Sequence, residues 1–128
     1  MLPVLLNTYN PPNVPSAARA YEIGRKLGAA IAASPRDLRV AIAASGGLSH
    51  FITEEAHDRK LLAAMEARDS EALTSVPRGA LLSGSSEILN WIAAAGALEG
   101  LNVAWKHYIP VRRSPAGTGI GLGFMVWK

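Results

Sequence analysis

Three histidines, His50, His57 and His107, are the side chains of this sequence best suited to moving a proton near neutral pH. His50 closes the segment Ser45-Gly46-Gly47-Leu48-Ser49-His50, directly after an apolar run. Paired glycines permit tight or left-handed backbone and close approach of a ligand. The segment therefore offers an imidazole for general acid–base work, or else a loop histidine whose nitrogens are satisfied by backbone. Glu87 follows Ser83-Gly84-Ser85-Ser86 and falls in the first turn of an apolar helix. A carboxylate there is stabilised by the helix dipole. It reads either as a capping charge or as an oxygen ligand for a metal, held on a rigid helix end. His57 lies among Glu54, Glu55, Asp58 and Arg59 and is expected on an exposed helix turn. His107, between Trp105 and Ile109, is expected as a packed or edge-strand histidine. The spacing gives no ground for joining His50, His107 and Glu87 in a two-His-one-carboxylate iron site.

Other chemistries fall away on composition. With no cysteine, disulfides, thiolate-bound zinc, iron–sulfur clusters and thiol nucleophiles are excluded. Gly117-Thr118-Gly119-Ile120-Gly121-Leu122-Gly123 has the composition of a dinucleotide fingerprint, but that motif must leave a strand and open a helix. Here the glycines run into an apolar aromatic segment, and they shape a loop and strand lying close to a ligand or another backbone. Glu54, Glu55 and Asp58 form no carboxylate pair suited to hydrolysis, and no Ser-His-Asp order is evident. The net charge of +3 is carried by scattered residues, with Arg112-Arg113 the only local concentration. No phosphate-tracking stripe results, so no nucleic-acid partner is expected; a modestly basic surface suits a small anionic substrate. No apolar run approaches the ~20 residues of a membrane span. Without cysteines or a targeting segment, since Pro3 and Asn7 interrupt the apolar start, a cytoplasmic protein is expected.

The elements that position these residues follow from pattern. The 128 residues, 49% hydrophobic and 18% charged, fit one globular domain. Pro3 to Asn7 reads as a buried strand ending in the turn formers Asn7 to Pro12. Ser16 caps a helix with Ala20, Ile23, Leu27 and Ile31 at helical spacing. Gly24 and Gly28 on that helix indicate close packing. Leu38 to Ala44 is apolar on both faces, as in a central parallel strand. Strand, helix and strand make a βαβ unit, whose ligand site lies beyond the carboxyl ends of the strands, at Asn7–Asn10 and Ser45–His50. Thr53 is placed to cap a helix through Met65, and Ser70 to Ser75 makes a second helical piece. A further helix covers Glu87 to Leu98, with Gly100 as its stop. Asn102 to Pro110 and Ile120 to Trp127 are strands around the loop Arg112 to Gly119. The fold class is α/β, a mainly parallel or mixed sheet with flanking helices. A sheet starting inside its first strand leaves exposed edges, which points to a missing or partnering half.

Several segments then fit one family together. Ala44-Ser45-Gly46-Gly47-Leu48-Ser49-His50-Phe51 resembles the segment of class III extradiol ring-cleaving dioxygenases that bears their catalytic histidine. Ser83-Gly84-Ser85-Ser86-Glu87-Ile88-Leu89-Asn90-Trp91 resembles the helix start carrying the glutamate ligand of their iron. Pro3-Val4-Leu5-Leu6-Asn7-Thr8-Tyr9 with Pro11-Pro12, and Arg113-Ser114-Pro115-Ala116-Gly117-Thr118-Gly119, fit in the same order. The likeness is to the C-terminal half of catalytic subunits of the protocatechuate 4,5-dioxygenase and gallate dioxygenase type. It implies a non-haem Fe(II) cofactor, a catechol-type aromatic acid and O2 as substrates, Glu87 as metal ligand and His50 as acid–base. It also implies that Ser114 and Thr118 line the end of the pocket holding the ring substituent. The family's two iron-binding histidines lie in an N-terminal half that has no counterpart here. The isolated chain is therefore expected to be inactive, with the missing half or a partner subunit supplying those ligands. The other reading is a scaffold of the same fold that binds without catalysis. The uncovered sheet and apolar helices leave room for self-association.

Overall fold

The computed structural model describes residues 1–128. Helix α1 spans Ala17–Ala32, strand β1 His50–Ile52, helix α2 Glu55–Ala67 and the short helix α3 Ser70–Thr74. Two 3-10 turns, Arg78–Leu81 and Ser83–Glu87, lead into α4, Ile88–Ala97. Strands β2, Val103–Arg112, and β3, Thr118–Trp127, close the chain as a hairpin. The sheet has the order β1-β3-β2, with both pairings antiparallel.

Helix α1 starts where Ser16 Oγ accepts the Arg19 amide at 3.2 Å, satisfying one of the donors a helix start leaves unpaired. Its buried side, Ala17, Ala20, Tyr21 and Gly24, follows the helical repeat. That side packs on α4, which is apolar almost all round and buries Ile88, Leu89, Trp91 and Ile92. Contact is at backbone distance. A Cβ on Gly24 would overlap the Ala93 carbonyl, one on Gly28 the Ala97 carbonyl, and one on Gly96 the Tyr21 carbonyl. The sequence expectation of close helix packing is met, with a third glycine added from α4. We expect Gly24→Ala to destabilise the chain by about 1–3 kcal/mol in urea melts, because the two helices must separate. This runs against the ~1 kcal/mol by which Ala is the better helix former.

The core continues through Leu48, Leu61, Leu62, Met65 and Leu73. Leu48 is wholly buried, so the loop carrying His50 is pinned by an apolar side chain two residues before it.

The α/β class stands, but the sheet departs from the expected parallel arrangement. Pro3–Asn7 and Leu38–Ala44 run without helix or strand pairing, and their Val4, Leu5, Leu38 and Val40 are exposed. A strand apolar on both faces still needs a neighbour for its amide and carbonyl groups. Within this chain β3 pairs with β2 along its length and with β1 over Thr118–Ile120, and neither segment joins that sheet. Thr53 is also not the cap of α2. The N-cap is Glu54, without a side-chain bond, while the Thr53 hydroxyl donates to the Val111 carbonyl at 3.1 Å. The third long helix starts at Ile88, the turn Ser83–Glu87 before it being 3-10.

Candidate functional site

The Ser83–Glu87 turn gathers the site. Ser86 Oγ lies 3.4 Å from Thr8 Oγ1, Ser85 Oγ accepts the His50 amide at 2.9 Å, and Glu87 Oε2 accepts the Gly47 amide at 2.7 Å. The two loops expected beyond the strand ends thus converge on one turn, although the strands before them are unpaired. The start of α4 adds two bonds to the same loop. Asn90 Nδ2 donates to the Ser45 carbonyl and Trp91 Nε1 to the Gly46 carbonyl, each at 2.9 Å.

Glycine is required here by proximity. Gly46 sits at φ +142°, and a Cβ there would lie 2.9 Å from Glu87 Cβ. On Gly84 a Cβ would lie 2.6 Å from His50 Cβ. Both contacts are far inside van der Waals distance, so side chains at these positions would push His50 and Glu87 apart.

His50 and Glu87 are brought together, with Nε2 and Oε2 3.6 Å apart. That is too long for a hydrogen bond, so neither atom is consumed by the other. The other ring nitrogen, Nδ1, lies 2.9 Å from the Leu48 carbonyl. A carbonyl can only accept, which places the proton of the neutral ring on Nδ1 and leaves Nε2 as a free base. The His50 side chain is 16% exposed and that of Glu87 42%. The pair is therefore open to a ligand on the Glu87 side.

Ser114 and Thr118 lie apart from this pair, at the β2–β3 turn, where their hydroxyls bond each other at 2.7 Å. Thr118 pairs with Ile52 and Ile120 with His50. Residues two apart on a strand share a face and sit ~7 Å apart. Thr118 thus shares the sheet face of His50. So do Val111, Ile109, Phe124 and Val126 by register, a face left apolar and exposed.

The neighbouring polar cluster is the part that sequence reading missed. Asp58, expected on an exposed helix turn, is wholly buried. It accepts the Ser49 amide at 2.9 Å, the Ser49 hydroxyl at 2.6 Å and the Tyr108 hydroxyl at 2.7 Å. Ser49 Oγ in turn accepts the Glu54 amide at 2.9 Å. His57 is not a surface residue either: it is half-buried, and its Nε2 is buried without a partner. His107 is on the edge strand β2, exposed and stacked on Trp105 with ring centroids 6.2 Å apart. A signal for the cluster exists in Gly121, where a side chain would overlap Asp58 Oδ2. Glycine inside a strand often marks such a close approach.

Burial, and then the bond to Asp58, raise the Tyr108 phenol above its ordinary value of 10.0. A raised folded value means that the stabilisation is complete below about pH 10 and is lost as pH rises further. We expect Tyr108→Phe to cost about 1–2 kcal/mol at pH 7, through loss of a bond to a carboxylate. The gap to the unchanged chain should narrow between pH 10 and 12 in urea melts.

The implied iron is not accommodated by these residues alone. No group of three or more His, Asp or Glu side chains is placed to hold a metal ion in the chain. His57 and His107 sit on α2 and β2, while Glu87 is the one carboxylate beside His50. No helix is long and apolar enough to cross a membrane.

Comparison with known proteins gives the family of the chain. The family described as the catalytic LigB subunit of aromatic ring-opening dioxygenase matches residues 1–123, and the chain belongs to that family. Among relatives, the gallate dioxygenase of Pseudomonas putida is 34% identical over a 111-residue alignment, which covers 76% of this chain and 32% of that protein. The chain thus spans about a third of the length of that relative.

Proposed function

We propose that this chain forms the acid–base side of the active site in a larger extradiol dioxygenase. The enzyme would open the ring of a catechol-type aromatic acid, protocatechuate- or gallate-like, with O2. The observation that carries the reading is the pairing of a free His50 Nε2 with the Glu87 carboxylate 3.6 Å away, in a chain of the ring-opening dioxygenase family. His50 Nε2 accepts the proton of a ring hydroxyl, and the resulting imidazolium returns it as the ring opens. The Leu48 carbonyl holds the ring in orientation throughout. Glu87 is assigned as one carboxylate ligand of a non-haem Fe(II), the remaining ligands lying in polypeptide outside this chain. Thr118, on the His50 face, and Ser114, bonded to it, are assigned to the end of the substrate that carries the ring substituent.

The test is a chimera in which this chain replaces the matching third of the Pseudomonas putida gallate dioxygenase. Gallate- and protocatechuate-dependent O2 uptake and product absorbance would be measured. The chimera is expected to consume O2, the isolated chain to consume none, and Glu87→Ala to lower bound iron and turnover together. A folded chimera without uptake, or full activity after Glu87→Ala, would overturn the assignment.

A further inference from the structure

Two apolar segments of this chain have backbone groups with no hydrogen-bond partner in the protein. Residues 39–44 (Arg-Val-Ala-Ile-Ala-Ala) contribute no backbone N–H or C=O to any backbone hydrogen bond, and neither do residues 2–6 (Leu-Pro-Val-Leu-Leu). Buried or not, such groups are obligatory hydrogen-bonding partners. Here they occur beside exposed side chains that water does not favour: Leu2 and Leu5 are 84% and 94% exposed, Val40 53%. Polar surface loops share the water-bonded backbone but not the row of exposed apolar side chains. An extended, apolar, unpaired backbone is instead the template that strand addition uses, main-chain bonds giving affinity and alternate side chains giving specificity.

We propose that residues 2–6 and 39–44 are the surface on which the rest of the dioxygenase docks, by adding β-strands to them. The inference rests on the functional reading above. The occupant follows from three observations. The groups without a protein partner are backbone donors and acceptors, which a strand pairs and a helix face does not. Neither segment joins the sheet inside the chain, whose three strands are β1, β3 and β2. The matched relative carries about two thirds of its length outside the region that this chain covers, enough to hold the strands required.

The position of the segments gives docking a consequence for the site. Residues 39–44 run directly into Ser45-Gly46-Gly47, the loop held by Asn90, Trp91 and Glu87. Residues 2–6 run into Asn7 and Thr8, which reaches Ser86. Strands added at these two segments therefore tether, from outside, both loops that meet at the Ser83–Glu87 turn. Assembly of the enzyme thus braces from outside the loops that already hold the His50–Glu87 pair.

Amide hydrogen exchange tests this in the isolated chain and in the full-length chimera with the Pseudomonas putida enzyme. Amides 39–44 and the non-proline amides of 2–6 are expected to exchange freely in the chain. In the chimera they should exchange at least about 100-fold more slowly, as sheet amides do. Val40→Pro removes an unpaired donor, so it should leave the melting temperature of the isolated chain unchanged while lowering that of the chimera. Equal exchange in both proteins, or equal effects of Val40→Pro in both, would overturn the proposal. Protection in the isolated chain that grows with concentration would assign the surface to a second copy instead and also overturn it. A chimera that turns over substrate with these amides unprotected would sink the docking surface and leave the function standing. Protected amides without turnover would do the reverse.

Discussion

Replacing His50 by alanine in the chimera will lower ring-cleavage turnover by about 10²–10⁴-fold, the usual contribution of a positioned acid–base group. That corresponds to about 3–5 kcal/mol of transition-state free energy. The site explains why loss should be large and confined to chemistry. The Nδ1 bond to the Leu48 carbonyl fixes both tautomer and ring orientation, so Nε2 is a base without any rearrangement. The Ser85 bond is to the backbone amide of His50 and survives the substitution. Glu87 keeps its bond from the Gly47 amide, so iron content should change little. His50→Gln separates proton transfer from packing, since it retains bulk and polarity but cannot cycle a proton. Both variants should lose turnover with KM for the aromatic acid held within about threefold. Turnover within threefold of the unsubstituted chimera would remove His50 from the chemistry.

Much of this site is legible in the sequence because it is local. Gly46-Gly47 followed three residues later by His50 states a backbone constraint and a titratable group in one segment. Ser83 to Glu87 at a helix start does the same for the carboxylate, and Gly24 with Gly28 announces helices at backbone contact. The helices and the final hairpin follow from periodicity and turn residues. What sequence could not place are relations across the chain. Asp58 has charged neighbours on α2, so its local pattern reads as surface. It is buried only because Ser49, 9 positions before it, and Tyr108, 50 after it, supply donors. Thr53 is a good capping residue by type, yet the Val111 carbonyl from β2 claims its hydroxyl. The apolar run 38–44 is locally a central strand, but strandhood requires a partner, and that information lies in other residues. Local pattern gives conformation; pairing is a property of the assembly.

The buried carboxylate links the stability of the fold to the position of the catalytic histidine, and Asp58→Ala should expose that link. We expect the isolated chain to lose about 3–5 kcal/mol, among the largest effects a single substitution produces. Three donors, the Ser49 amide, the Ser49 hydroxyl and the Tyr108 hydroxyl, would be left in a site with no water access to Asp58. Bonds to a charged acceptor contribute about 1.5–3 kcal/mol each and are not additive within one network, which sets the range. Asp58→Asn should cost less, about 1–2 kcal/mol. Its carbonyl oxygen can still accept the Ser49 amide, and the Tyr108 hydroxyl can turn to accept from the new amide. The order Ala worse than Asn is therefore the signature of a hydrogen-bonding role, where a purely steric one would not separate them. The same network holds Ser49, the residue before His50, and braces the Glu54 amide at the start of α2. In the chimera, Asp58→Asn should thus lower kcat more than KM, by displacing Nε2 from its place beside Glu87. If urea melts put Asp58→Ala within 1 kcal/mol of the unsubstituted chain, the cluster does not brace the loop, and the position of His50 must rest on Leu48 and the Ser83–Glu87 turn alone.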